Sequence, residues 1–358
     1  MPGGSRIQFR MTDLSGLVAQ RRILTDAYFV GCDLSDARFA LSDLTRATFY
    51  TSALIRSDMR GCTLVNADMR GSALWGVRLY AANLDGADLR AAELVLSSSA
   101  NPFLRFRHDW ESPEPPATRT ADMRECSLKN ARLNNAKLDG ADFSGANLSG
   151  AQLDGASLRG VRMDDAILTG VDLTRCRREG ISLAGALLDP DEASWARAPA
   201  LRSAIEAAGL WASSRGEAGA RLVVDGADLR VIGDGLATRM LAGSSLRNTI
   251  CAGVDFSGSV LVGANFDGAD LRDAKFDNAD LRGASFRGCK LSHARFNGAD
   301  LRALEGHGGQ LHPPNFAGAR ASFLSLEDAR FSPASMFDWV QDQYTQEGKA
   351  HGNEIAFV

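Results

Sequence analysis

Proline is scarce, 10 residues in 358, and four of them fall together within 102–116. That count excludes a collagen-like chain and a proline-rich linker. Histidine numbers 5 and cysteine 6, with no C-x-x-C spacing, which argues against a zinc site or a thioredoxin-like redox site. No apolar run reaches the roughly 18–20 residues that a membrane-spanning helix needs. The start, Met1-Pro2-Gly3-Gly4-Ser5-Arg6, lacks the apolar core of a signal peptide, so a cytoplasmic location is expected. Charge of one sign is also missing. Lys and Arg total 40 against 44 Asp and Glu, a net of −4, too even for direct nucleic-acid or membrane binding through bulk charge. There is no Gly-Lys-Ser/Thr phosphate loop, no G-x-G-x-x-G after a strand and no G-x-S-x-G elbow. The chain is expected to be no enzyme and to use no cofactor, with no catalytic, cofactor-binding or metal-binding residue to name.

What the chain has in excess is glycine, 36 residues, and a strict period of five. From Gly268 to Gly288 the sequence reads GADLRDAKFDNADLRGASFRG, with Leu271, Phe276, Leu281 and Phe286 as large centres. Ala269, Ala274, Ala279 and Ala284 each stand two positions before a centre. One block of such units runs from Phe29 to Leu94, a second from Met123 to Leu188 with a lapse at Arg178, and a third from Leu246 to Leu301. A weaker tail follows through Phe316, Leu326, Phe331 and Met336. A period of five fits neither helix nor flat strand. It fits a chain that turns a corner every five residues, centre and small residue pointing inward. Four sides then close a twenty-residue coil, and residue n lies under residue n+20.

These A-[DN]-L-x-x units resemble the pentapeptide-repeat family. The resemblance implies an all-β solenoid, a right-handed quadrilateral β-helix. The interruptions predict its division. A first β-helix is expected over 1–190, with a loop at 95–120 where the repeat changes phase. A helical connector or cap is expected over 191–222, as two short helices, 191–198 and one opened by Pro199 and stopped by Gly209. A second β-helix is expected over 223–336. A C-terminal helix and tail are expected over 337–358, started by Ser332 and Pro333, which caps the coil or forms a homodimer contact.

Cys32, Cys62, Cys126, Cys176 and Cys289 occupy the small inward position and Cys251 a centre, so all six are expected to pack as small apolar groups. The outer charges are expected to pair along columns such as Arg247–Asp267–Arg287 and Asp255–Lys275–Arg295. Ile55, Trp75 and Val95 follow centres at twenty-residue spacing and predict an apolar stripe on one outer face, with Tyr50 and Tyr80 at equivalent positions on neighbouring sides. Such a stripe is either a contact surface or lies under the loop, through Phe103, Phe106 or Trp110. The expected role is a non-catalytic scaffold that binds a protein partner, with Ile55, Trp75, Val95, Tyr50, Tyr80, Phe106 and Trp110 as candidate contacts. A second role follows from the resemblance: some members of the family imitate duplex DNA and bind DNA gyrase or topoisomerase IV. The even charge balance counts against that role here.

Overall fold

A computed structural model describes residues 7–94, 120–306, 308–321 and 324–332. The chain forms two compact units, Met1–Asp189 and Pro190–Val358.

The hydrogen bonds around Leu34 show why the sequence repeats in fives. The N–H groups of Leu34 and Asp36 donate to the carbonyls of Ala53 and Ile55, one coil on, at 2.7 and 2.8 Å. The N–H of Asp33 donates one coil back, to Thr12, at 3.0 Å. The N–H of Ala37 returns to the carbonyl of Leu34 at 3.1 Å and closes a turn. Asp36, third in that turn, has φ +58°, the left-handed conformation that a type II turn requires there. The same position holds Gly61, Gly71 and Gly86 in later turns, with φ of +63°, +62° and +68°. That requirement accounts for much of the glycine.

One N–H per pentapeptide is left over, that of the residue after the centre. The Asp33 carboxylate accepts it from Ser35 at 2.9 Å. Asp43 does the same for Thr45, Asn83 for Asp85, and Asn147 for Ser149. Where Asp or Asn stands before a centre, as here, it is thus a cap for a donor that the ladder cannot use. Elsewhere the cap comes from the neighbouring coil: Asp139 accepts the Ser157 hydroxyl at 2.5 Å and the Arg159 N–H at 2.9 Å.

In the first unit these turns stack into a β-helix solenoid. Parallel bridges join positions twenty apart on four successive sides, as in Asp33 to Ala53, Arg38 to Asp58, Asp43 to Thr63 and Thr48 to Asp68. Strand β1 (Gln8–Arg10) pairs in parallel with β2 (Tyr28–Val30). The ladder passes directly over the phase change, since Arg78 bridges Asp122 and Glu93 bridges Lys137. The two sequence blocks on either side are therefore one continuous stack. Its centres, from Phe29 to Leu168, form one buried core. Phe29 and Phe49 stack with ring centroids 5.3 Å apart. Arg178 sits where the preceding coils of that side bury Leu138 and Leu158, and it is exposed.

The second unit opens with helix α1 (Glu192–Ser213). One helix forms in place of the two expected. Asp191 caps it, accepting from the N–H of Ser194 at 2.8 Å. The exposed ring of Pro199 removes one N–H, a loss of the order of 3 kcal/mol in an isolated helix. The continuous stripe Ala198, Leu201, Ile205 and Ala208 is buried in the same core as Leu222, Leu229 and Val231. That burial carries the helix through Pro199 and past Gly209. The ladder starts where Val223 bridges Ser245. Its first coil holds two extra residues, taken up in a 3₁₀ segment, Leu229–Leu236, kinked at Gly233. Further coils stack Phe256 on Phe276 and Phe276 on Phe296, at 5.0 and 4.9 Å.

Strand β3 (Asp300–Leu301) pairs in parallel with β6 (Arg330–Phe331), and between them β4 (Leu304–Glu305) and β5 (Leu311–His312) form an antiparallel hairpin. The hairpin adds ten residues, two whole units, because Ser285 bridges Asn315. The repeat phase is therefore kept across it, which is why the sequence tail reads in register although Leu311 is exposed. The Ser332 hydroxyl accepts the N–H of Ala303 at 2.7 Å. The expected C-terminal helix and tail over 337–358, with Pro333 and Met336, lie outside the described residues. So does most of the loop expected at 95–120.

Candidate interaction surface

Outer side chains of a pentapeptide coil are the residues on either side of the centre. On the side carrying Leu54 and Leu74 these are Ala53, Ile55, Ala73 and Trp75, which pack on one another as a small separate cluster. Ile55 is only 4% exposed and Trp75 7%. The stripe expected at Ile55 and Trp75 is therefore not an open surface at these two residues. Val95, Phe106 and Trp110 lie outside the described residues.

Tyr50 and Tyr80 behave differently. Tyr50 is 43% exposed, and the Arg70 guanidinium lies over its ring at 5.2 Å, one coil on. Tyr80 is half-buried beneath Arg124, at 5.6 Å. Tyr28 carries Arg10 in the same way at 5.0 Å. The stacking direction brings these residues together, because the solenoid sets outer side chains of successive coils at roughly the 4.8 Å spacing of neighbouring strands.

The charges are organised by a rule that the sequence reading missed. Asp-Leu-Arg or Asp-Met-Arg occurs eight times. Positions i and i+2 share one face of an extended segment. Each pair closes as a two-pronged ion pair, from Asp58–Arg60 and Asp68–Arg70 to Asp280–Arg282 and Asp300–Arg302. A spacing of two, rather than only twenty, was the legible signal. Cross-coil contacts then add a third charge to some pairs, as Arg78 reaches Asp58 at 3.3 Å and Arg132 reaches Asp88 at 3.0 Å, and Arg70 joins its pair to the next at Asp88, 3.8 Å away. Burial pushes the Asp58 carboxyl up, but Arg60 and Arg78 outweigh it and hold the group below its usual range. The bond from Arg302 lowers Asp300 likewise.

Of the expected columns, Lys275 does reach Asp255, at 3.7 Å, whereas Arg295 pairs with Asp277 at 2.5 Å. Asp267 does not pair with the Arg287 side chain; it accepts the Arg287 N–H at 3.1 Å and the Ser285 hydroxyl at 2.5 Å. Capping an otherwise unused donor takes the carboxylate away from the column.

Five cysteines are buried and Cys176 is half-buried. The Cys62 and Cys289 thiols donate to the carbonyls of Phe39 and Phe266, each at 3.0 Å. Ser42 and Ser52 use the same inward position in the same way, on Ala19 and Phe29. Burial pushes Cys62, Cys251 and Cys289 up to about 12. Among the described residues, no cluster of His, Cys, Asp and Glu is arranged to hold a metal ion, and no helix is long and apolar enough to cross a membrane.

Comparison with known proteins bears on the repeat itself. No curated protein matches the sequence. Among solved structures, HetL from the cyanobacterium Nostoc, a pentapeptide repeat protein involved in heterocyst differentiation regulation, is 19% identical. That match covers 91% of this chain and 90% of HetL, at a TM-score of 0.33. A trypsin-treated variant of QnrB1, a plasmid-mediated fluoroquinolone resistance protein, is 18% identical over 52% of this chain and 93% of its own, at a TM-score of 0.30. Neither likeness says anything of this chain's partners. The family model described as pentapeptide repeats matches in eight copies, over residues 23–61, 57–94, 121–160, 151–189, 241–277 and 264–302, more than half of the sequence. With the four-sided ladder and the capped turns that these residues form, the chain belongs to the pentapeptide-repeat family.

Proposed function

We propose that the protein is a non-catalytic scaffold that binds a protein partner through an outer face of the first unit. The observation that carries this reading is Tyr50, exposed and held flat under Arg70 on a rigid stack. Tyrosine and arginine dominate binding energy at protein interfaces, and a side chain already ordered loses little entropy on contact. The surrounding acids are tied to arginines in the same pentapeptide or the next coil, which supports a shape-reading surface over a charge-reading one.

The test compares the wild type with Tyr50→Ala in affinity capture from the native host. Tyr50→Ala should lose the main specific partner and keep the wild-type melting curve. Unchanged capture would overturn Tyr50 as the contact. Tyr80, Val95, Phe106 and Trp110 remain further candidates for the same comparison; Ile55 and Trp75, being buried, do not.

The alternative role, binding DNA gyrase or topoisomerase IV by imitating DNA, needs a run of uncompensated acids to replace phosphates. The recurring Asp–Arg pairs weigh against it. We place a homodimer through the C-terminal segment, 337–358, at the same level, as a proposal to be tested by its deletion.

A further inference from the structure

The first coil of the first unit shows more large apolar side chains to solvent than the coils stacked on it. Ile7, Phe9, Met11, Val18 and Ile23 are 43%, 37%, 70%, 65% and 82% exposed. Val18 and Ile23 stand just before a centre, where the next coil has Arg38 and Asp43. Leu14 and Leu17 are only partly buried at the open end of the core. In the next coil Arg38 and Asp43 donate their N–H groups back to Leu17 and Arg22, at 2.7 and 2.9 Å. Among the described residues, nothing accepts the N–H of Val18 or Ile23 in the same way.

This end continues the coil-to-coil interface that builds the whole unit, and its geometry selects its occupant. The edge turns a corner every five residues. A straight peptide can pair with one side of it, two or three residues long. A surface that matches several sides at once is the end of another coil with the same spacing. The far end of the same unit is a poor match, because Arg178 stands there in place of an inward leucine, with Arg175, Arg177 and Glu179 exposed around it. An inward-pointing charge blunts a β edge. Two apolar first coils, by contrast, match each other about a two-fold axis, and such a contact closes at two copies.

We propose that the first coil, through Phe9, Met11, Val18 and Ile23, is a self-association surface on which a second copy of this chain docks head to head. Sedimentation velocity on the full chain, from about 1 to 100 μM, tests it against Val18→Asp and Ile23→Lys. Both side chains are largely exposed, so each variant should keep the wild-type melting temperature. The expected result is a wild-type dimer whose Kd rises at least tenfold in either variant. A wild type that stays monomeric throughout overturns the proposal. So does a dimer that both variants leave intact, whether or not removing 337–358 abolishes it. Growth beyond the dimer that persists after removing 337–358 overturns the head-to-head arrangement, since head-to-tail contacts do not close.

Discussion

At the scale of single residues, the backbone sign of φ decides what each outer turn position tolerates. Thr51 is β-branched yet holds φ +54°. A left-handed L-residue is strained by roughly 1–2 kcal/mol, and glycine relieves this while losing more chain entropy. Thr51→Gly should therefore stabilise the protein by about 0.5–1 kcal/mol, read as a higher urea midpoint at unchanged slope. Gly160 is the converse case: a Cβ there meets nothing within 4 Å, but φ is +62°. Gly160→Ala should cost about 1 kcal/mol from conformation alone, and a neutral result would show that the turn relaxes. The thiols follow burial. With Cys62, Cys251 and Cys289 pushed up to about 12, folded protein at pH 8 should take up thiol reagent first at half-buried Cys176, and the other five should label only on unfolding.

At the scale of elements, caps and paired charges hold the turns and the helix. Asp191→Ala removes the acceptor for Ser194 and should destabilise the second unit by about 1 kcal/mol in thermal melting. Asp300 is held below its usual range by Arg302, so its stabilising share is present above its unfolded pKa, about 4, and is lost as pH falls through the lower folded value. The stability gap between wild type and Asp300→Asn should then be widest near pH 7 and narrow progressively below about pH 4. A gap that stays constant down to pH 2 would mean that the ion pair has no energetic weight. In the core, Ala279 is 1% exposed between fully buried Phe276 and Leu281, and Ala279→Leu should cost about 1–3 kcal/mol by overpacking.

At the scale of the whole molecule, helix α1 shares the core of the second unit, through Ala198, Leu201, Ile205 and Ala208. Residues 190–358 should therefore melt cooperatively alone, and a fragment beginning at 214 should not, because it uncovers Leu222 and Leu229. Circular dichroism of both fragments checks this. With Asp–Arg pairs spread over the outer faces, purified protein should leave gyrase supercoiling unchanged at micromolar concentration. Inhibition there would reveal an acidic face and favour the DNA-mimic role.

The period of five, the inward centres and the phase change near 95–120 were legible in the sequence, because each coil repeats one local set of hydrogen bonds. Leu34, Asp36 and Ala37 obey rules that reach only a few residues and one coil. The Asp-x-Arg pairs were legible in principle, since i and i+2 of an extended segment share a face. Contacts that depend on distant parts of the chain decided the rest. The burial of Ala198, Leu201, Ile205 and Ala208 carries α1 through a proline that local propensity reads as a boundary. A hairpin of two whole units hides inside an unbroken phase, since the repeat does not distinguish a stacked coil from an excursion. Ile55 and Trp75 show the same limit: the sequence places them on an outer face, but only the tertiary structure decides that they are buried there.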